Sequence, residues 1–181
     1  MRARGFGLGD ILGWLKGKLD IAEDVVADAA NYIARNAVRT AAQHVLHTTL
    51  GEAHKGASGA PVVIVSHSQG TIISYDVLRQ AGTNYAGMST LITMGSPLRS
   101  YLGPLQWGAR QLAFPPSVRW LNLYDKKDIV GQDLRGVVDW PSPKPVDQVV
   151  DNVSKAGGAH NHWRNPQVVK AVATEIRRLA P

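Results

Sequence analysis

The chain is 181 residues long, 44% hydrophobic and 19% charged, with a formal charge of +6 at pH 7 and no cysteine. This is ordinary globular composition at single-domain length, so a real core can form; the lack of cysteine excludes a disulfide framework, a cysteine nucleophile and thiolate metal sites. Its basic residues stand singly or in pairs (Lys126-Lys127, Arg177-Arg178), which argues against a phosphate-tracking surface and for no nucleic-acid partner, although anionic surfaces can still attract the chain.

The amino terminus, Met1-Arg2-Ala3-Arg4-Gly5-Phe6, begins like a signal peptide, but Asp10 and Lys16 interrupt its apolar run too early for a secretory core. No stretch has the length of a membrane span, so the expectation is a soluble, cytoplasmic protein with no integral membrane segment. Residues 8–50 read as helix. Leu8, Ile11, Leu12, Leu15, Leu19 and Ala22 recur at helical spacing, with Asp10, Lys16, Lys18 and Asp20 on the other side. Asp20, followed by Glu23, predicts the cap of a second helix carrying Val26, Ala30, Ile33, Ala37, Ala41 and Val45 inward and ending before Gly51. These are two packing helices, or else a lid or interfacial helix containing Trp14.

A loop at 56–61 leads into Pro61-Val62-Val63-Ile64-Val65, the short β-branched run expected of a strand covered on both faces. Helical spacing returns over 71–81. Further strands are predicted at 89–94, at 118–124 and, more weakly, at 146–153, with a closing helix over 166–179. Strands alternating with helices imply an α/β fold with a short, mostly parallel sheet of about three or four strands flanked by helices. The expected organisation is one domain over 1–181, with a helical amino-terminal segment (1–55) and a core carrying the chemistry (60–181).

The most informative segment is Val65-Ser66-His67-Ser68-Gln69-Gly70-Thr71: a buried strand, a sharp turn with serine at its tip, then a helix. That is the context of a G-x-S-x-G nucleophile elbow, whose tight turn calls for small residues two positions either side of the serine. Gly70 satisfies this on one side, while Ser66 stands where glycine is usual. The turn places the Gln69 N–H at a helix amino terminus, where it can donate to a developing oxyanion. A serine nucleophile needs a base, and the base needs an orienting carboxylate. Asp128 and Asp125 follow the third strand. Asp128, ahead of Ile129-Val130, is preferred and Asp125 is the rival. The loop before the closing helix offers His160, with His162 two residues on; in an extended segment the two share a face. His44, His47 and His54 read as surface or packing residues, and His67 as shaping the elbow.

At these residues the chain resembles the α/β-hydrolase superfamily, and within it small bacterial esterases and lipases. Asp128-Ile129-Val130 is similar to the family's Asp-x-Val arrangement, His160 through Trp163 to its His-x-x-aromatic loop, and Met94-Gly95-Ser96-Pro97-Leu98 to a Gly-Ser-Pro turn common in lipase-like members. The resemblance covers about residues 60–170. It implies a reduced α/β-hydrolase fold and a serine hydrolase cleaving small-molecule or lipid carboxylic esters through an acyl-enzyme. Ser68 would be nucleophile, His160 base, Asp128 orienting acid and Gln69 oxyanion donor, with no cofactor and no metal. A catalytically weak remnant serving as a binding or assembly module, and a peptidase or acyltransferase with the same residues, are the alternatives. Where the family carries three or four more strands and a second oxyanion loop, only helices and a loop precede Val62. The chain therefore resembles the carboxyl-terminal half of the fold, which leaves open a minimal enzyme, a truncated frame and a half that assembles with another chain. The charge-free edge Val62-Val63-Ile64-Val65 then calls for a cover, and a homodimer pairing along it is the expected one, the amino-terminal helices being the alternative.

Overall fold

The computed structural model describes residues 23–81, 87–100, 118–135, 144–152 and 158–180. The chain divides into two compact units, Met1–Val45 and Leu46–Pro181. The predicted first helix over 8–22, with Asp20 and Trp14, lies outside the described residues.

Helix α1 spans Glu23–Ala34 and α2 spans Asn36–Gly56. The single helix expected after Asp20 is thus broken at Arg35, and its second part runs on past Gly51. The break resets the helical phase. Ala30 is buried and Ile33 half-buried as expected, but Ala37, Ala41 and Val45 face solvent, Val45 at 67% exposure. Arg39 stabilises the junction by donating to the Ile33 carbonyl and to Asn36 Oδ1, each at 2.9 Å. Such bonds to exposed carbonyls are what a helix end needs.

The second unit is built on four parallel strands in the order β1-β2-β3-β4: β1 Val62–His67, β2 Met88–Met94, β3 Arg119–Tyr124 and β4 Val146–Val149. Helix α3, Gln69–Ala81, follows β1, and α4, Pro166–Leu179, closes the chain. The class is α/β, as the alternation of strand and helix patterns implies. Register pairs Val65 with Ile92 and Ile92 with Leu121, so alternate residues line common faces. On one face Ile92, Met94, Leu121 and Leu123 form a core with Val168 and Ala171 of α4. Each fully buried side chain of this size contributes roughly 1.5–3 kcal/mol. The other face turns Trp120 toward Tyr75 of α3, their ring centroids 5.7 Å apart. Trp120 Nε1–H donates to Thr93 Oγ1 at 3.0 Å, so this wholly buried indole is satisfied.

Helix α4 begins where the sequence places it. Asn165 caps it by accepting the Gln167 N–H at 2.8 Å, and Pro166 occupies the first turn, where a missing N–H costs nothing. Because all four strands run the same way, their carboxyl ends gather Ser68, Gly95, Asp125, Asp128 and the 158–165 loop at one edge. Ligand sites of open parallel sheets form at that edge.

Candidate active site

Ser68 sits between β1 and α3 at φ 52, in the left-handed region that a serine rarely adopts. Strain there of order 1–3 kcal/mol persists only where the surroundings over-determine the backbone. Here they do. The Ser68 N–H donates to the Met94 carbonyl at 3.0 Å, and the Ser68 carbonyl accepts both the Thr71 N–H at 3.0 Å and the Thr71 hydroxyl at 2.7 Å. The turn leaves Ser68 Oγ facing His160 Nε2 at 3.0 Å. His160 Nδ1 in turn lies 2.8 Å from Asp128 Oδ2. The carboxylate only accepts, so Nδ1 carries a proton and Nε2 is the bare nitrogen facing the serine hydroxyl.

Asp128 is buried at the end of a tight turn after β3. Its Oδ1 accepts the Val130 N–H at 2.9 Å, an Asx turn that explains the Asp-x-apolar spacing: the buried Val130 anchors the turn while Ile129 projects outward. Burial opposes ionisation of this carboxyl. Hydrogen bonds from His160 and His162, with the Val130 N–H, outweigh it and hold the carboxyl well below the usual carboxylate range.

The rival residues separate cleanly in space. Asp125 is buried, but its Oδ1 accepts the Lys127 N–H at 2.8 Å and its Oδ2 the Asn152 N–H at 2.6 Å. It ties β3 to the end of β4. Asn165 Nδ2–H extends that network to Asn152 Oδ1 at 2.6 Å, so the same bonds brace both ends of the segment bearing His160. Within the predicted loop, residues 158–160 and 162–164 form two short 3-10 turns, so the shared face that an extended segment would give His160 and His162 does not apply. The rings of His160 and His162 therefore stand at 88° to each other. His162 has no exposed surface, and its Nε2 lies 3.2 Å from Asp128 Oδ2. His67 donates from Nε2 to the His160 carbonyl at 2.8 Å, bracing the loop as well as the elbow. Burial pushes its imidazole below the ordinary histidine range, against the bond to that carbonyl, which favours the charged form.

Two glycines matter more than sequence reasoning allowed. Gly95 has φ 54, and a Cβ there would stand 2.9 Å from His160 Cε1 and 3.0 Å from His162 Cδ2. A Cβ on Gly131 would fall 2.3 Å from Gly95 Cα and 2.6 Å from Asp128 Oδ2. Backbone-to-backbone contact of Gly95 and Gly131 thus makes room for both histidines on one carboxylate. By contrast a Cβ on Gly70 would meet only Ser66 Cβ, at an ordinary 3.9 Å, so alanine fits there as well as glycine. Ser66 fits where glycine is usual, its hydroxyl donating weakly to the Ile92 carbonyl at 3.4 Å. The Gly-Ser-Pro turn is also structural. Ser96 is fully buried and its hydroxyl donates to Thr71 Oγ1 at 2.8 Å, which locks β2 to the elbow helix.

Asp128, His160 and His162 each present one nitrogen or oxygen within 4.8 Å of the others, a donor set of the type that holds a divalent transition ion. His160 Nδ1 and His162 Nε2 each lie at a hydrogen-bond distance from Asp128 Oδ2. A cavity of about 310 Å³ opens beside the site, lined by Asn152, Gly158, Asn161, Arg164 and Asn165; Ser68, His160 and Asp128 do not border it. Among the described residues no helix is long and apolar enough to cross a membrane. No protein-family model, curated protein or solved structure matches the chain.

Proposed function

We propose that this chain is a serine hydrolase of carboxylic esters, on a reduced α/β-hydrolase fold. One observation carries the reading: the unbroken chain of hydrogen bonds from Ser68 Oγ through His160 (3.0 Å) to Asp128 (2.8 Å), anchored on a serine at positive φ. Ser68 Oγ attacks the ester carbonyl while His160 Nε2 takes its proton, and Asp128 stabilises the imidazolium so formed. Gln69 opens α3, so its N–H stands at the positive end of the helix beside the nucleophile, suited to the oxyanion. The tetrahedral adduct collapses by expelling the alcohol, which receives the proton from His160. Water, deprotonated by the same nitrogen, then attacks the acyl-enzyme and releases the acid and Ser68. No step calls on a cofactor.

Ile129 and Trp163, adjoining Asp128 and His162 in the chain, stay 51% and 56% exposed, and exposed apolar side chains of this kind suit an acyl ester. β1 ends the described sheet, which keeps pairing between two copies along that edge as the proposed assembly; light scattering of a strictly monomeric active protein would refute it. Turnover of short p-nitrophenyl esters by the wild type and by Ser68→Ala tests the function. Hydrolysis is expected to vanish in the variant with folding intact, whereas an inert wild type would favour a binding or assembly module.

A further inference from the structure

Asp128 is held by two histidines, and the hydrolase reading uses only one. His162 has no exposed surface, its Nε2 reaches the same Oδ2 that bonds His160, and its Nδ1 has no partner among the described residues. Leaving a buried polar atom unpaired is costly, and an apolar side chain would fill the same space without that cost. The ring is therefore explained by what its other nitrogen does. Since the carboxylate only accepts, Nε2 bears the proton. A protonated Nδ1 would be a buried charged donor without an acceptor, costlier than a bare lone pair, so the neutral Nε2–H tautomer fits best.

We infer that His162 is a positioning residue for the Ser68–His160–Asp128 chain, an inference that rests on the hydrolase reading. It is an Nε2–H donor that fixes the carboxylate so that Oδ2 stays in line with His160 Nδ1. The two imidazoles hold opposite tautomers on one oxygen: His160 donates from Nδ1 and His162 from Nε2. With Oδ1 tied to the Val130 N–H, the carboxylate is bonded at both oxygens and cannot swing. Sharing Oδ2 also draws negative charge away from His160, so His162 moderates the acceptor it orients. Of the ionisable groups around His162, the His67 and His160 rings lie 5.7 and 6.2 Å away by centroid, and Asp128 touches it.

The test compares His162→Leu with His162→Gln, whose amide N–H reaches about as far as Nε2. His162→Leu is expected to fold, to lose about ten- to a hundredfold in kcat with KM unchanged, as loss of one bond to a charged group implies, and to move the acid limb of its pH profile upward. His162→Gln should restore most of the rate and the profile. Nitrogen-15 NMR of histidine-labelled wild type reads the tautomers without any variant: His162 is expected protonated at Nε2 and bare at Nδ1, with His160 the reverse. An active wild type whose His162→Leu variant keeps full kcat and an unmoved profile, or whose His162 is protonated at Nδ1, would overturn the inference alone. A wild type without turnover and without a reactive Ser68 would overturn the hydrolase reading, and the inference with it.

Discussion

Two aspartates three positions apart, at the end of one strand, have opposite surroundings. Both are buried, Asp125 at 2% exposure and Asp128 at 5%. The oxygens of Asp125 accept backbone N–H groups from Lys127 and Asn152, so its bonds join segments of chain. Asp128 spends one oxygen on its own turn and offers the other to two imidazoles, so its bonds join side chains that can move protons. Burial alone therefore does not mark a functional carboxylate. The identity of the donor does, because a backbone N–H cannot titrate and an imidazole can.

The contrast is sharpest in activity. Asp128→Asn is expected to cost about 10⁴-fold in kcat, since an amide cannot hold the His160 tautomer that bares Nε2, and to lower the melting temperature at neutral pH as the bonds that hold the carboxylate are lost. Steady-state ester kinetics beside a thermal melt will show it; an active Asp128→Asn variant would put the chemistry elsewhere. Next in size is Gly131→Ala. Its new Cβ would collide with Gly95 and with Asp128 Oδ2, so activity should fall by at least tenfold and stability by about 1–3 kcal/mol. Asp125→Asn should differ from Asp128→Asn in rate rather than in stability. Stability drops by about 1–3 kcal/mol as one buried N–H loses its acceptor, while the variant that remains folded turns over within about tenfold of wild type. Denaturant titration paired with kinetics decides it, and equal loss of kcat in the two variants would erase the distinction.

Acid sharpens the comparison further. Asp128 binds its proton less readily folded than unfolded, so its stabilisation is complete above the ordinary carboxylate range and is lost as pH falls through and below it. His67 also binds its proton less readily when folded; its contribution is complete above the ordinary imidazole value of about 6.5 and is lost as pH falls through that region. Both signs agree. Melting temperature should decline first below about pH 6.5, a step that His67→Gln removes, and again in strong acid, a step that Asp128→Asn removes; an unchanged pH curve in either variant would contradict the assignment. The smallest effect is expected at Gly70→Ala. Its Cβ meets only an ordinary contact inside a helix, so stability should hold or rise by up to about 1 kcal/mol, with turnover retained.

The strands, the elbow and α4 were legible because each rests on local chemistry: β-branched runs, a serine between strand and helix, and an Asn-Pro start. Asp128 could be preferred over Asp125 because Asp128-Ile129-Val130 is similar to the Asp-x-Val arrangement of α/β-hydrolases, and the Asx turn supplies a local reason for that spacing. What stayed hidden is non-local. The break at Arg35 turns Ala37, Ala41 and Val45 of α2 to solvent, and hydrophobic spacing carries no sign of it. That His162 would share Asp128 with His160 depends on two 3-10 turns within what the sequence shows only as a loop. It depends as well on Gly95 and Gly131, which are 36 positions apart and meet only once the sheet is formed. The glycine at 131 was a signal available in the sequence, directly after Asp-Ile-Val, and only a partner across the fold gives it meaning.

In the proposed hydrolase, Ser68 is made nucleophilic by His160 held on Asp128. Mass spectrometry of the chain after reaction with a fluorophosphonate probe tests it most directly. A single adduct on Ser68 is expected in the wild type, and its loss in His160→Ala. Labelling of Ser66 or Ser96, or undiminished labelling of Ser68 without His160, would contradict it.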